Sequence, residues 1–178
     1  APMITLADGT AFRASDADAS QRLARLLGKD IHISALAPES DLNFYRRREK
    51  RTLDENRAIL GLLPDEPFPD VSGFPRRVAE FATPPGTFFD CYPLLVMTTA
   101  SLAALQAAAV RSQIDIRRFR PNVLIKSHDQ GYVEQDWIGK QLRLGNVTLS
   151  IEVGCPRCVM TTLGFADLAS DPGIMRTL

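Results

Sequence analysis

What most constrains this chain is how short its regular signals are. Residues 31–36 and 147–153 alternate apolar and polar at period two, residues 93–98 form an apolar β-rich run, and residues 119–125 read as a strand with its proline near the start. A pleated strand shows successive side chains to opposite faces, so runs of this length fit half-buried strands a few residues long. Asp8-Gly9-Thr10 separates two further short runs, and an Asp-Gly pair in that position predicts a hairpin. Helical spacing is confined to residues 20–27, stopped by Gly28, and to the alanine- and leucine-rich residues 99–110, with Thr98 or Thr99 as cap. Many short strands and few helices predict a mainly β fold, a twisted and mostly antiparallel sheet or barrel with peripheral α-helices.

Between residues 38 and 85 the pattern weakens. Prolines punctuate positions 64, 67, 69, 75, 84 and 85, and Arg46-Arg47-Arg48-Glu49-Lys50-Arg51 is a charge run. A stretch this long without its own elements is expected to be a lid over a site or partly disordered, and the basic run a solvated face. No glycine- and serine-rich linker divides the 178 residues, so residues 1–178 are expected to form a single domain.

Charge narrows the function classes. The 21 basic residues balance 21 acidic ones, leaving no net field to draw the chain to nucleic acid or to a membrane surface. No apolar run approaches the length of a spanning helix, and the first residues lack a charged n-region before an apolar one. The 3 cysteines, Cys91, Cys155 and Cys158, are odd in number and uneven in spacing, which is not a disulfide framework and predicts a reducing, cytoplasmic setting.

Chemistry concentrates in Cys155-Pro156-Arg157-Cys158-Val159-Met160-Thr161-Thr162. A guanidinium beside a thiol favours the thiolate, the form that binds soft metals and attacks electrophiles. As a redox C-x-x-C the motif would normally open a helix, whereas the residues after Cys158 are mostly β-branched. As half a zinc site it lacks a second pair, since His32 and His128 are isolated and Cys91 lies far upstream. One thiolate offered to a metal or sulfur centre held mainly by something else is a third reading, and cysteines acting as small buried hydrophobes a fourth. No glycine-rich dinucleotide or phosphate loop and no G-x-S-x-G occurs.

A second feature is Arg117-Arg118-Phe119-Arg120-Pro121-Asn122. On a strand, Arg118, Arg120 and Asn122 share one face, a row suited to a phosphate or carboxylate. The helix start at Thr99 and Ser101 adds hydroxyls, free N–H groups and a favourable dipole for the same anion. The alternative is a strand edge whose arginines pair with Asp90 or Asp115.

Taken in order, Gly86-Thr87-Phe88-Phe89-Asp90, Thr98-Thr99-Ala100-Ser101-Leu102, Arg118-Phe119-Arg120-Pro121-Asn122, Trp137-Ile138-Gly139 and the cysteine motif resemble the MOSC family, the molybdenum-cofactor sulfurase C-terminal domains, related to the molybdenum-dependent amidoxime-reducing proteins. The resemblance is strongest over residues 86–164, and against that family the chain looks clipped at both ends. It implies a β-barrel that binds the molybdenum-bearing pterin cofactor (molybdopterin), with Cys158 as the thiolate ligand of molybdenum. It implies that Thr99, Ser101, Arg118, Arg120, Asn122 and Arg157 hold the pterin and its phosphate, and that Asp90 acts near the metal. The activity implied is reduction of N-hydroxylated small molecules with electrons from a flavin or iron–sulfur donor. The alternative implied is a sulfur carrier that accepts sulfur as a cysteine persulfide from a pyridoxal-phosphate-dependent desulfurase.

Overall fold

The local signals near the start of the chain fold as their chemistry dictates. In the computed structural model, which describes residues 1–47 and 51–178, β1 (Met3–Thr5) and β2 (Ala11–Arg13) pair antiparallel across Asp8-Gly9, where Gly9 takes φ 85. The helix α1 (Ala19–Leu27) follows and ends at Gly28 in the left-handed conformation. It docks on the hairpin through Arg22, whose guanidinium lies 5.2 Å from the centroid of the buried Phe12 ring and is held by Asp18 at 2.8 Å.

The proline-punctuated middle is not structureless. It holds α2 (Leu42–Tyr45), α3 (Leu53–Leu60) and α4 (Arg76–Glu80). Thr52 and Glu55 form a reciprocal capping box at the start of α3, each satisfying a backbone N–H of the other. Tyr45 is buried, its hydroxyl donates to the Ala37 carbonyl, and its own carbonyl accepts from Ala82 N at 2.8 Å. Arg47 N donates to Glu80 O at 3.0 Å, so the chain beyond α2 is laced to the end of α4. Of the basic run, Arg46 pairs with Glu80 at 3.1 Å, while residues 48–50 lie outside the described residues.

The centre of the molecule is a parallel crossover. β3 (Val96–Thr98) runs into α5 (Thr99–Ala108), and the chain returns in β4 (Val123–Ile125) beside β3 and parallel to it, Met97 opposite Leu124. Met97, Leu105, Phe119 and Ile174 form the buried cluster, the last delivered by α6 (Gly173–Thr177). A hairpin of β5 (Gln141–Leu144) and β6 (Val147–Ser150) turns at Gly145, φ 60.

These elements correct the mainly β barrel expected from the sequence. The molecule is 14% strand and 30% helix, and its strands form three separate two-stranded sheets, one of them parallel, with no closed barrel among the described residues. Period-two alternation gives a strand only where a partner supplies hydrogen bonds. Residues 31–36 find no strand partner among the described residues, Ile33 N donating to Ser20 Oγ at 3.0 Å instead, and are irregular, and β6 stops short of residues 151–153. Residues 119–122 do not extend as a strand either: Ile116–Arg118 is a tight 3-10 turn and Arg120 takes φ 54, so Arg118, Arg120 and Asn122 share no strand face.

Sheets of this size bury little. The accessible surface is 12741 Å² for a 19.6 kDa chain, against about 8,600 Å² for a folded monomer of that mass. Leu26 and Leu27 of α1, 60% and 56% exposed, belong to the apolar face left open.

Candidate functional site

The cysteine motif follows β6 as irregular chain. Gly154 to Arg157 are unpaired, and Cys158 caps a 3-10 turn, Val159–Thr162, in extended conformation. The Cys158 carbonyl accepts from Thr161 N at 3.1 Å and from Thr161 Oγ1 at 3.0 Å, which fixes the backbone that carries its sulfur. Cys158 is half-buried and its thiol is unpaired, as are those of Cys91 and Cys155.

At Cys91 and Cys155 desolvation outweighs charge. Desolvation pushes Cys155 up, with repulsion from Cys158 and Asp90 adding to it; Arg157 pulls the other way and loses. Cys91 is pushed up by desolvation first and by Asp90 second, with Arg47 opposing and Cys155 adding. The expected thiolate-favouring effect of the arginine is therefore present at Cys155 but outweighed. These mutual influences also show that the structure gathers Asp90, Cys91, Cys155, Arg157 and Cys158 into one region.

Asp90 is exposed and, with Cys91, Arg77, Phe81 and Pro84, lines a small open cleft between α4 and the turn after Gly86. The proline-punctuated segment thus supplies a wall of this cleft. Arg157 lies over Phe119, its guanidinium carbon 5.4 Å from the ring centroid.

The other predicted residues are already engaged. Arg118 is 4% exposed, and its guanidinium donates to the carbonyls of Thr161 at 3.3 Å, Leu163 at 3.2 Å and Ala169 at 2.7 Å. Its Nε is buried without a protein partner. Arg117, not Arg118 or Arg120, makes the ion pairs, with Asp115 at 2.8 Å and Asp167 at 2.7 Å. Asn122 accepts Leu95 N on Oδ1 at 2.8 Å and braces the entry to β3. Arg120 is exposed and its side chain makes no hydrogen bond among the described residues.

At α5 the anion seat already has an occupant. Glu134, from the 3-10 turn Val133–Trp137, accepts Thr98 N at 3.2 Å, Thr98 Oγ1 at 3.0 Å and Ser101 Oγ. Thr98 caps the helix by accepting Ser101 N at 3.1 Å, and Thr99 is bound to the Ser127 backbone. Glu134 and Cys91 were not singled out in the sequence. A helix start rich in hydroxyls demands an anion, but which acid supplies it is decided by a contact 36 residues away, and Cys91 reaches the motif only through the fold.

Among the described residues no three His, Cys, Asp or Glu side chains come close enough to chelate an ion. A metal at Cys158 would therefore be held by one protein thiolate and otherwise by atoms of a cofactor. The donor set at the motif fits such a group: one soft sulfur on Cys158, with the Arg157 guanidinium on the residue before it.

A model of the MOSC domain matches residues 83–178. Among curated proteins, mitochondrial amidoxime reducing component 2 of Macaca fascicularis is 36% identical over 74 residues, 42% of this chain and 21% of that protein. Mitochondrial amidoxime-reducing component 1 of Homo sapiens is 31% identical over 103 residues, 57% of this chain and 28% of that protein. The Danio rerio component 1 is 30% identical over 144 residues, 81% of this chain, and the match spans 35% of it. The chain thus corresponds to about a third or less of these relatives' length.

Proposed function

The chain belongs to the MOSC domain family, and from that premise we propose that it is the cofactor-holding part of a molybdenum-dependent oxidoreductase that reduces N-hydroxylated compounds. The observation that carries the reading is the free, half-buried thiol of Cys158, next to Arg157 in the chain and within the region matched by the family model. The molybdenum–pterin cofactor, when bound, supplies a metal able to take an oxygen atom from the substrate and to be re-reduced by a flavin or iron–sulfur donor.

The chain's own residues do the holding. Cys158 offers the thiolate ligand. Arg157, kept in place by Phe119, and Arg120, open to solvent, offer guanidinium forks to the cofactor's phosphate. Asn122 keeps its side-chain amide donors for the same anion because its oxygen is spent on Leu95. Asp90 faces the cleft with a carboxylate able to accept an N–H or O–H of a substrate held against Phe81 and Pro84. Thr99 and Ser101 support the site through the α5 start. The free thiols suit a reducing compartment such as the cytoplasm, and no helix among the described residues is long and apolar enough to cross a membrane.

The test is metal and pterin analysis of protein made in cells that synthesise the cofactor. Stoichiometric molybdenum in the parent that falls severalfold in Cys158→Ser, leaving a weakly held remainder, and is kept in Cys155→Ser supports the reading. Equal molybdenum in both variants, or none in the parent chain, overturns it.

A further inference from the structure

A buried arginine without an acidic partner is costly to keep, and similar volume filled by an apolar side chain commonly serves stability at least as well. Arg118 is such a residue. It is 4% exposed, it forms no ion pair among the described residues, and its charge is met only by three backbone carbonyls. Those carbonyls belong to one stretch, residues 161–169, which begins inside the 3-10 turn Val159–Thr162 capped by Cys158.

The connection to the sulfur is short. Arg118 Nη1 donates to the Thr161 carbonyl, and the N–H and hydroxyl of Thr161 both donate to the Cys158 carbonyl. The next residue, Phe119, belongs to the buried cluster and carries the guanidinium of Arg157 on its ring. Two successive residues therefore grip the motif on either side of Cys158, Phe119 before it and Arg118 after it.

We infer that Arg118 and Phe119 form a cradle that positions Cys158, with Arg118 acting through the Thr161 peptide as a positioning residue rather than as a ligand-facing one. A metal ligand needs its orientation fixed by groups behind it, and here that support comes from the backbone clamp. The value of the cradle to catalysis rests on the reading of Cys158 as the molybdenum ligand. The clamp itself is a property of the protein without cofactor and is tested there.

The experiment is a short pulse of iodoacetamide on the cofactor-free full chain, with alkylation at each cysteine read by mass spectrometry, in the parent and in Arg118→Met and Arg118→Lys. The cradle predicts at least a tenfold faster alkylation of Cys158 in Arg118→Met, a smaller rise in Arg118→Lys, and changes below twofold at Cys91 and Cys155. A Cys158 rate within twofold of the parent in both variants overturns the proposal, and so does a parallel rise at all three thiols. Hydrogen exchange in the parent keeps the clamp refutable even where a variant does not fold. The Thr161 amide must exchange at least tenfold more slowly than an unstructured amide, and exchange at the unprotected rate refutes the clamp. Molybdenum loss in Cys158→Ser concerns the function alone and can succeed or fail independently.

Discussion

Removing the carboxylate of Glu134 should loosen the crossover at the centre of the molecule. In Glu134→Ala the start of α5 loses the acceptor for Thr98 N at 3.2 Å, Thr98 Oγ1 at 3.0 Å and Ser101 Oγ, and Thr98 and Ser101 are 0% and 3% exposed, so water reaches neither easily. A hydrogen bond to a charged group contributes about 1.5–3 kcal/mol. A carboxylate at a helix N-terminus adds about 0.3–1 kcal/mol. Simple addition overstates the loss, because the two hydroxyls lie 3.3 Å apart and can turn toward each other. A net cost of about 3 kcal/mol follows for alanine, from two charged hydrogen bonds partly recovered and the lost dipole interaction. Glutamine keeps the shape and one acceptor and should cost about half as much. In a chain of this size 3 kcal/mol lowers the melting temperature by about 6–12 °C. Urea unfolding should show a lower midpoint at an unchanged slope. An alanine variant within about 0.5 kcal/mol of the parent would refute the assignment of Glu134 as the anchor of α5.

Three further outcomes follow from the same structure. Leu105→Ala, at a side chain 2% exposed within the Met97–Phe119–Ile174 cluster, should cost about 2–5 kcal/mol in urea unfolding. Thr52→Ala breaks the capping box of α3 and should cost about 1 kcal/mol, with faster amide exchange at Glu55. Arg117 holds the Asp115 carboxyl down to about 2 from its ordinary 3.8. Since the folded value is depressed, the contribution of this exposed pair is present above pH 3.8 and fades as pH falls towards 2; Arg117→Met should raise the Asp115 titration only part of the way to 3.8, read by NMR, because the backbone N–H of residue 117 still donates to Asp115.

What the sequence made legible is what short-range chemistry decides. Asp8-Gly9 fixes the hairpin, Gly28 stops α1, and Thr98 caps α5, each within a few residues of its effect. The capping box of Thr52 and Glu55 was equally local but was obscured by the charge run before it. The barrel failed because strand pairing is a long-range property: residues 31–36 have the alternation and no strand partner among the described residues, while β3 and β4 pair in parallel across a helix. The arginine row failed because Arg120 at φ 54 bends the segment, turning Arg118 inward to carbonyls some 43 to 51 residues away. What lies behind the cysteine motif and the start of α5 was not legible, since Arg118 reaches the Thr161 carbonyl and Glu134 reaches Thr98 only across the fold.

X-ray absorption at the molybdenum edge tests the central assignment most directly, because it counts the sulfur neighbours of the metal in protein purified from cells that make the cofactor. Replacing Cys158 by serine should remove one sulfur from that count, and replacing Cys155 should remove none. An unchanged count in Cys158→Ser would contradict the assignment of Cys158 as the ligand.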